Sequence, residues 1–379
     1  MSAGRRLVFG TALITVLTLL HGVPWLVLVA LPGWPTPAFA LATVLTVVLL
    51  LGFPPAMMRG HGRRHSDPLA VAGDVWLGIV WQLFTWSVVA GVVDLVLAVA
   101  GADRDARRWI AVVTLGWTAG LLIWGHRQAM RVPPVRSVEV RLPRLGAELD
   151  GLTVAMVADT HFGPIDRRRW STSVAGILTD LDADVVVHAG DMADGSVDRR
   201  REQAAPLGTV TAREGRFYIT GNHEYMSGAA EWTAHLTELG WTVLRNEHRL
   251  IRRGRATLVI AGVDDRTAAG SGVEGHGTDL ARALTGIDPD LPVLLLSHQP
   301  KQVALAVAAG VDLQLSGHTH GGQLWPFHLL VRAEQGALHG LTRHGERTQL
   351  YTSRGSGFWG PPFRIFAPNE ITLLTLRVG

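Results

Sequence analysis

The first third of the chain consists mainly of long apolar runs. From Leu7 to Met58 there is no Asp, Glu, Lys or Arg, and the segment Leu31-Pro-Gly-Trp-Pro-Thr-Pro37 divides this run in two. Because about 20 apolar residues cross a bilayer as a helix, the run predicts two transmembrane helices. Two later apolar runs predict a third and a fourth. The predicted spans cover residues 7–30, 38–58, 75–100 and 109–125.

The arginines that flank these spans predict their orientation, because Lys and Arg accumulate on the cytoplasmic side. With the N-terminus inside, inner flanks are richer in arginine than outer loops, which favours a cytoplasmic C-terminal region. One span more or fewer would make that region extracytoplasmic, which is the alternative. The inner arginines are Arg5, Arg6, Arg59, Arg63, Arg64, Arg127, Arg131 and Arg136, and the outer ones are Arg104, Arg107 and Arg108, offset by Asp103 and Asp105.

The sequence Gly4-Arg5-Arg6 before an apolar run, with Ala38-Phe39-Ala40 downstream, imitates a cleaved twin-arginine export signal. The apolar run is too long for such a signal, and another span follows at once. A retained membrane helix is therefore the preferred interpretation.

Two ionisable residues lie inside the predicted spans. Asp94 is a candidate for function by its position in the third span, or it pairs with a neighbouring helix. His21, beside Gly22 and Pro24, is predicted to be a packing or kink residue, with a proton or ligand role as the alternative.

The pattern changes after Pro133-Pro134. From Gly151 onward, short apolar runs alternate with amphipathic stretches, which predicts a layered α/β domain. Strands are expected at 152–157, 185–188, 217–219, 257–261, 293–296 and 313–315, helices at 168–181, 230–239, 279–284 and 302–309, and further strands in the tail from 349 to 378.

Composition narrows the chemistry. There is no cysteine, which excludes disulfides, thiolate ligands and cysteine nucleophiles. The formal net charge is only +3, and the basic residues are nearly all arginine, several of which lie beside apolar segments. These arginines are typical of membrane flanks, so no nucleic-acid partner is predicted.

Five short motifs rich in metal-ligating side chains follow predicted strands. Asp, His and Asn side chains on five strand ends are the layout of a dinuclear metal site on an α/β sheet, and a mixed O/N ligand set suits Mn, Fe, Zn or Mg. The motifs are Asp159-Thr-His161, Gly190-Asp191-Met-Ala-Asp194, Gly221-Asn222-His223-Glu224, Ser297-His298 and Gly317-His318-Thr-His320.

In this order, the motifs resemble the calcineurin-like metallophosphoesterase family, and the resemblance covers roughly residues 137–379. With the apolar region in front, the chain is similar to transmembrane metallophosphoesterase proteins. The resemblance implies a four-layer α/β/β/α sandwich over 137–379, preceded by an all-α transmembrane region of about four helices over 1–136.

The resemblance also implies roles for individual residues. His223 would be the general acid that protonates the leaving group, and Asp194 its carboxylate partner. The remaining family positions would hold two divalent metal ions, with Asp191 bridging them. The first ion would be held by Asp159, His161 and His320, and the second by Asn222, His298 and His318.

Other residues near the motifs have two interpretations each. His188 is predicted to be a packed core residue and Glu224 to brace a loop. Trp325, Phe358 and Trp359 either pack in the ordinary way or form an apolar lip near the site or the membrane.

The sequence therefore predicts a membrane-anchored, dinuclear metal-dependent phosphoesterase that uses metal-activated water on a phosphodiester or pyrophosphate bond. Its partners would be the lipid bilayer and a phosphoester substrate, for which membrane attachment favours a lipid-linked molecule. Two alternatives are a phosphodiesterase of soluble nucleotides, and a membrane receptor or transport module with a regulatory metallodomain.

Overall fold

The computed structural model describes residues 3–62, 65–101 and 104–379. Arg63, Arg64 and Asp103, which enter the charge count of the flanks, lie outside the described residues. The chain divides into two compact units. The first contains residues 1–127 and 360–365, and the second contains residues 128–359 and 366–379.

The first unit contains four long helices that are apolar enough to cross a membrane, at Leu7–Ala30, Thr36–His61, Asp67–Val99 and Asp105–Met130 within the described residues. The third helix begins earlier than predicted. Ser66 is its N-cap, and a proline stands in its first turn, where the missing N–H costs nothing. The helices are α1 (Ala3–Pro24, continued as a π-helix over Trp25–Ala30), α2 (Thr36–His61), α3 (Asp67–Val99) and α4 (Arg104–Met130).

The ionisable residues of the spans have partners. Arg107 Nε of α4 donates to Asp94 Oδ1 over 2.9 Å, so Asp94 pairs with a neighbouring helix. His21 Nδ1 lies 2.9 Å from the Leu17 carbonyl, and Trp76 Nε1 donates to His21 Nε2 over 3.1 Å. With both ring nitrogens engaged, His21 has the contacts of a packing residue.

A six-residue segment from near the C-terminus, Gly360–Ile365, belongs to this first unit. Its side chains fill notches left by helix glycines: a Cβ on Gly78 of α3 would meet the Phe363 ring at 2.5 Å, and one on Gly125 of α4 would meet Ile365 at 2.6 Å. Arg364 N–H donates to the Gly125 carbonyl over 2.9 Å. Glycine permits this close approach because it has no side chain.

The second unit is built on two six-stranded sheets, with strand orders β1-β12-β2-β3-β4-β5 and β10-β11-β9-β8-β7-β6. Strands β2 to β5 run parallel, as do β7, β8, β9 and β11. The strands are β1 (Val135–Leu142), β2 (Thr153–Val157), β3 (Val185–His188), β4 (Gly215–Tyr218), β5 (Thr242–Val243), β6 (Glu247–Arg253), β7 (Ala256–Gly262), β8 (Val293–Leu296), β9 (Leu313–Ser316), β10 (Gly340–His344), β11 (Thr348–Thr352) and β12 (Ile371–Val378).

The second unit also contains helices, most of which cover the outer faces of the two sheets. They are α5 (Arg168–Asp180), α6 (Val197–Ala204), α7 (Asn222–Ser227), α8 (Ala229–Glu238), α9 (Leu280–Ala283), α10 (Val303–Ala308) and α11 (His328–Gln335), with short 3-10 turns at Ala147–Leu149, Ala205–Thr209, Ala268–Gly270, Pro300–Gln302 and His320–Gly322.

Successive side chains along each strand point to opposite faces of its sheet. One face of each sheet therefore packs against the other sheet and the opposite face against helices, which produces the four layers. Val154 and Met156 of β2 enter the core between the sheets with Leu258 of β7. Their neighbour Ala155 packs instead against α5 and α8, and Val259 of β7 packs against α9 and α10. The predicted α/β/β/α architecture is therefore confirmed.

Strand β6 was not predicted. Its sequence, Glu-His-Arg-Leu-Ile-Arg-Arg, lies at the edge of the second sheet, paired on one side with β7. Polar residues dominate it because an edge strand faces solvent, so no apolar run marks it.

Candidate metal centre

The five motifs meet at the carboxyl edges of the two sheets. β2, β3 and β4 end at residues 157, 188 and 218, and β8 and β9 end at residues 296 and 316. Each motif begins within the next three residues of chain. Since parallel strands deliver their carboxyl ends to one edge, ligand loops that are far apart in sequence converge there.

The loops bring together three groups of side chains whose ligand atoms lie within 4.8 Å of one another, and two of these groups consist of predicted metal ligands. The first is Asp159, His161 and His320, with a 3.0 Å separation between the Nε2 atoms of the two histidines. The second is Asp191, His298 and His318. These groups contain six of the seven predicted metal ligands.

Asp191 lies between the two groups. Its Oδ2 is 3.1 Å from His298 Nε2 and 3.8 Å from His161 Nε2. One carboxylate oxygen is thus close to a ligand atom of each group, the position that a bridging carboxylate takes in a two-metal site.

Buried ligand atoms without partners test whether the site fits metal ions. Asn222 Oδ1 and His318 Nδ1 are buried and have no hydrogen-bond partner among the described residues, and His298 Nε2 has only the Asp191 carboxylate beside it. Leaving two buried polar atoms unpaired is costly, unless a cation binds them. These are side chains expected to hold the second ion, so the donor set fits a metal there.

Several ligands adopt backbone conformations that side chains usually avoid. A positive φ is uncommon outside glycine, and such residues cluster at functional sites. The loops also need glycine: a Cβ on Gly317 would meet Asp159 Oδ2 at 2.6 Å, and one on Gly221 would overlap Asp191. The ligands with positive φ are Asp159, His161, Asp191, His318 and His320.

Hydrogen bonds orient the imidazoles so that the ligand nitrogens remain available. His298 Nδ1 donates to the Ala189 carbonyl over 2.7 Å, which turns Nε2 toward Asp191 Oδ2, 3.1 Å away. Burial and the charge of His298 lower the pKa of His318 to about 4, so its ring is neutral near pH 7. A neutral imidazole is the form that binds metal.

Asp194 contacts the predicted acid His223. Asp194 Oδ1 lies 2.6 Å from His223 Nδ1 and 3.2 Å from His161 Nδ1, so one carboxylate orients both rings. Burial tends to lower the pKa of His223, but the charges of Asp191 and Asp194 outweigh it and raise that pKa to about 9. His223 is therefore protonated at neutral pH, with Nε2 directed away from Asp194.

Glu224 braces two of the ligand loops, as predicted. Its Oε2 accepts the backbone N–H groups of Asp191 (3.0 Å) and Gly221 (2.6 Å), and its Oε1 accepts that of Met192 (2.8 Å). The side chain is fully buried. The Glu224 carboxylate thus fixes the loop of Asp191 against the loop of Asn222.

Other residues have structural places around the centre. His188 is buried in the core, 3.1 Å from the Thr160 hydroxyl, in agreement with its predicted packing role. Sequence reasoning did not single out Gln299, which follows the ligand His298. Its amide donates to both carboxylate oxygens of Asp265 over 3.0 Å. The one signal in the sequence that could have identified Gln299 is that it is a polar residue directly after a predicted metal ligand.

Comparison with known proteins agrees with this geometry. Residues 152–322 match the calcineurin-like phosphoesterase family model. The chain belongs to the calcineurin-like metallophosphoesterase family, and it is a phosphoesterase of the hydrolase class.

Relatives extend the similarity beyond the family model. The chain is 34% identical over 314 residues to the transmembrane protein with metallophosphoesterase domain of Danio rerio, covering 79% of this chain and 72% of that protein. It is 34% identical to an uncharacterized metallophosphoesterase of Campylobacter jejuni, over 80% of this chain and 82% of that one. A solved structure, the sulfate thiohydrolase SoxB of Thermus thermophilus, aligns with a TM-score of 0.38 and 14% identity over 60% of this chain and 57% of that one. The transmembrane relative and the four apolar helices together indicate that this chain is a membrane protein.

Proposed function

We propose that the chain is a membrane-anchored, dinuclear metal-dependent phosphoesterase that hydrolyses a phosphodiester or pyrophosphate bond of a lipid-linked substrate. The observation that carries the proposal is the pair of ligand groups with Asp191 close to both, together with Asn222 Oδ1 and His318 Nδ1, which are buried without a hydrogen-bond partner among the described residues. The four apolar helices favour a lipid-linked substrate because they keep the catalytic unit at a bilayer.

The proposed ligands of the first ion are Asp159, His161 and His320, and those of the second are Asn222, His298 and His318, with Asp191 shared. When bound, two divalent ions neutralise phosphoryl oxygens and activate water as the nucleophile. A mixed carboxylate, amide and imidazole set suits Mn, Fe, Zn or Mg.

The chain itself supplies the proton. In the proposed step a water that has released one proton to solvent bonds through its oxygen to phosphorus, the ester P–O bond breaks, and the leaving oxygen takes the proton from His223 Nε2. Asp194 holds His223 through Nδ1 and stabilises its charged form before transfer. Such proton delivery contributes about 10²–10⁴-fold to rate in enzymes.

The test is metal content and turnover of the full-length protein in lipid nanodiscs. We expect two Mn²⁺ per chain, and Mn²⁺-dependent hydrolysis of bis(4-nitrophenyl) phosphate, of 4-nitrophenyl phosphate or of a lipid phosphodiester in the disc. His223→Ala should retain the metal but lose most turnover of an alkyl ester. His344→Ala, on edge strand β10, is the control and should match the wild type. Fewer than two ions per chain, or no hydrolysis of any ester with both ions bound, would refute the proposal.

The alternatives have weaker support. A regulatory metallodomain on a receptor or transporter was suggested by Asp94 and His21, and both have structural partners. Hydrolysis of soluble nucleotide diesters, with no activity on the lipid ester, would favour the nucleotide alternative.

A further inference from the structure

An exposed tryptophan stands beside the proposed proton donor. The ring of Trp359 meets the imidazole of His223 edge-on, with centroids 5.8 Å apart and planes at 71°. Although it makes this contact, the residue remains 49% exposed. A large apolar surface left open to solvent beside a catalytic group has area available for contact with a substrate.

The backbone of Trp359 is held in place. Gln323 Oε1 accepts the Trp359 N–H over 2.9 Å, and Gln323 Nε2 donates to the Trp359 carbonyl over 2.8 Å. The preceding residue, Phe358, is buried, and the Arg167 guanidinium lies 4.7 Å from its ring centroid. An aromatic side chain on a backbone fixed in this way loses little further freedom when a ligand packs on it.

A second apolar side chain lies near the same histidine. Met226 is three residues after His223 in α7, so the two share one face of that helix. Met226 is 69% exposed. Trp359, by its ring contact, and Met226, by its position on α7, are thus two exposed apolar residues next to His223, and we call this pair the Trp359–Met226 lip.

We infer that Trp359 is a specificity-determining residue that packs on the leaving group as His223 protonates it. The inference rests on the proposed function and deepens it. The leaving group would be an alcohol with an apolar or flat face next to the ester oxygen, rather than phosphate or a polar sugar. Selectivity arises because the Trp359–Met226 lip is buried only by such a group, and apolar area removed from water is favourable.

Two phosphodiesters that share a methyl group and differ only in the leaving alcohol can distinguish contact with the leaving group from a general effect of Trp359 on catalysis. Methyl phenyl phosphate releases a flat alcohol, and methyl 2,2,2-trifluoroethyl phosphate releases a compact one. For Trp359→Ala we expect kcat/KM for the phenyl ester to fall about tenfold, the scale of one good aromatic contact, mainly through KM. The trifluoroethyl ester should change less than about twofold.

Trp359→Phe keeps a smaller ring and should lie between the wild type and Trp359→Ala on the phenyl ester. Leu341→Ala, at an exposed position on β10, is the control and should change neither ester. Metal content and thermal unfolding of each variant show that it is folded.

The outcomes are distinct. An equal loss of kcat on both esters would mean that Trp359 only positions His223, and no loss on either would make it a packing residue; both results overturn the inference while the hydrolase stands. Wild-type protein that binds metal yet cleaves neither these diesters nor the lipid ester would overturn the proposed function together with this inference.

Discussion

One oxygen atom of Asp194 contacts two imidazoles, those of His161 and His223, so this single carboxylate influences both rings. Burial tends to raise its pKa, but the neighbouring charges of His161 and His223 outweigh burial and hold that pKa far below the usual range. It is therefore a carboxylate at any working pH, and its charge supports both the proposed acid His223 and the orientation of the proposed ligand His161.

The variant Asp194→Asn keeps the shape but removes the charge. We expect kcat/KM for an alkyl phosphodiester to fall about 10²-fold or more, because the proton donor loses its partner. A 4-nitrophenyl ester should lose less, since nitrophenolate departs without a proton. Asp166→Asn, at an exposed position five residues after His161, is the control. Equal losses on both esters would place the role of Asp194 in metal binding alone.

At the scale of elements, ion pairs and glycine notches hold strands and helices together. Asp184, just before β3 in the first sheet, contacts Arg253 of β6 in the second sheet and accepts the Thr153 N–H over 2.8 Å. Burial tends to raise the pKa of Asp184, but the hydrogen bonds from Thr153 and Arg253 outweigh it and leave that pKa lowered.

A lowered pKa in the folded state means that the charged form stabilises the fold. This contribution is complete above the ordinary aspartate pKa and is lost as pH falls through the lowered value. Asp184→Asn should therefore reduce the free energy of unfolding by about 1–3 kcal/mol at pH 7 and by less at pH 3, which lies below the ordinary aspartate pKa. Thermal unfolding at both pH values measures this, and a loss independent of pH would contradict it.

The close packing of the Phe363 ring against Gly78 of α3 leads to a second prediction about contacts between elements. Gly78→Ala adds a methyl group against the Phe363 ring and should cost about 1–3 kcal/mol by overpacking. Gly116→Ala is the same change in α4 at a position with no other heavy atom within 4 Å of the new carbon. Thermal unfolding should show a lower Tm for Gly78→Ala only; equal midpoints would mean that the segment Gly360–Ile365 is not packed there.

At the scale of the whole molecule, the arginine bias predicts that the catalytic unit lies on the cytoplasmic side of the membrane. The sequence allows a direct test of this prediction. Because the chain has no cysteine, one introduced thiol reports one position. Ser173→Cys on α5 should resist a membrane-impermeant maleimide in intact cells and react after permeabilisation. Thr36→Cys, at the start of α2, should react in both. The reverse pattern would place the catalytic unit outside the cytoplasm.

Much of the architecture was readable from the chain. The transmembrane helices could be predicted because a helix needs about 20 consecutive apolar residues to cross a bilayer. The strands β3 and β8 were predicted at their observed bounds because both of their faces are buried, which makes them continuous apolar runs. By contrast, α6, with the sequence Val-Asp-Arg-Arg-Arg-Glu-Gln-Ala, has almost no apolar stripe, so no local pattern marked it.

The order of Asp, Asn and His motifs by itself determined the class of chemistry, since ligand types are local properties of sequence. Only the tertiary structure decided which groups meet: that Asp194 contacts both His161 and His223, that Glu224 joins the loops of Asp191 and Asn222, and that Trp359 contacts His223. These contacts join residues separated by about 30 to more than 130 positions. Local periodicity carries no information about such pairs, because their proximity depends on how the strands order themselves in two sheets.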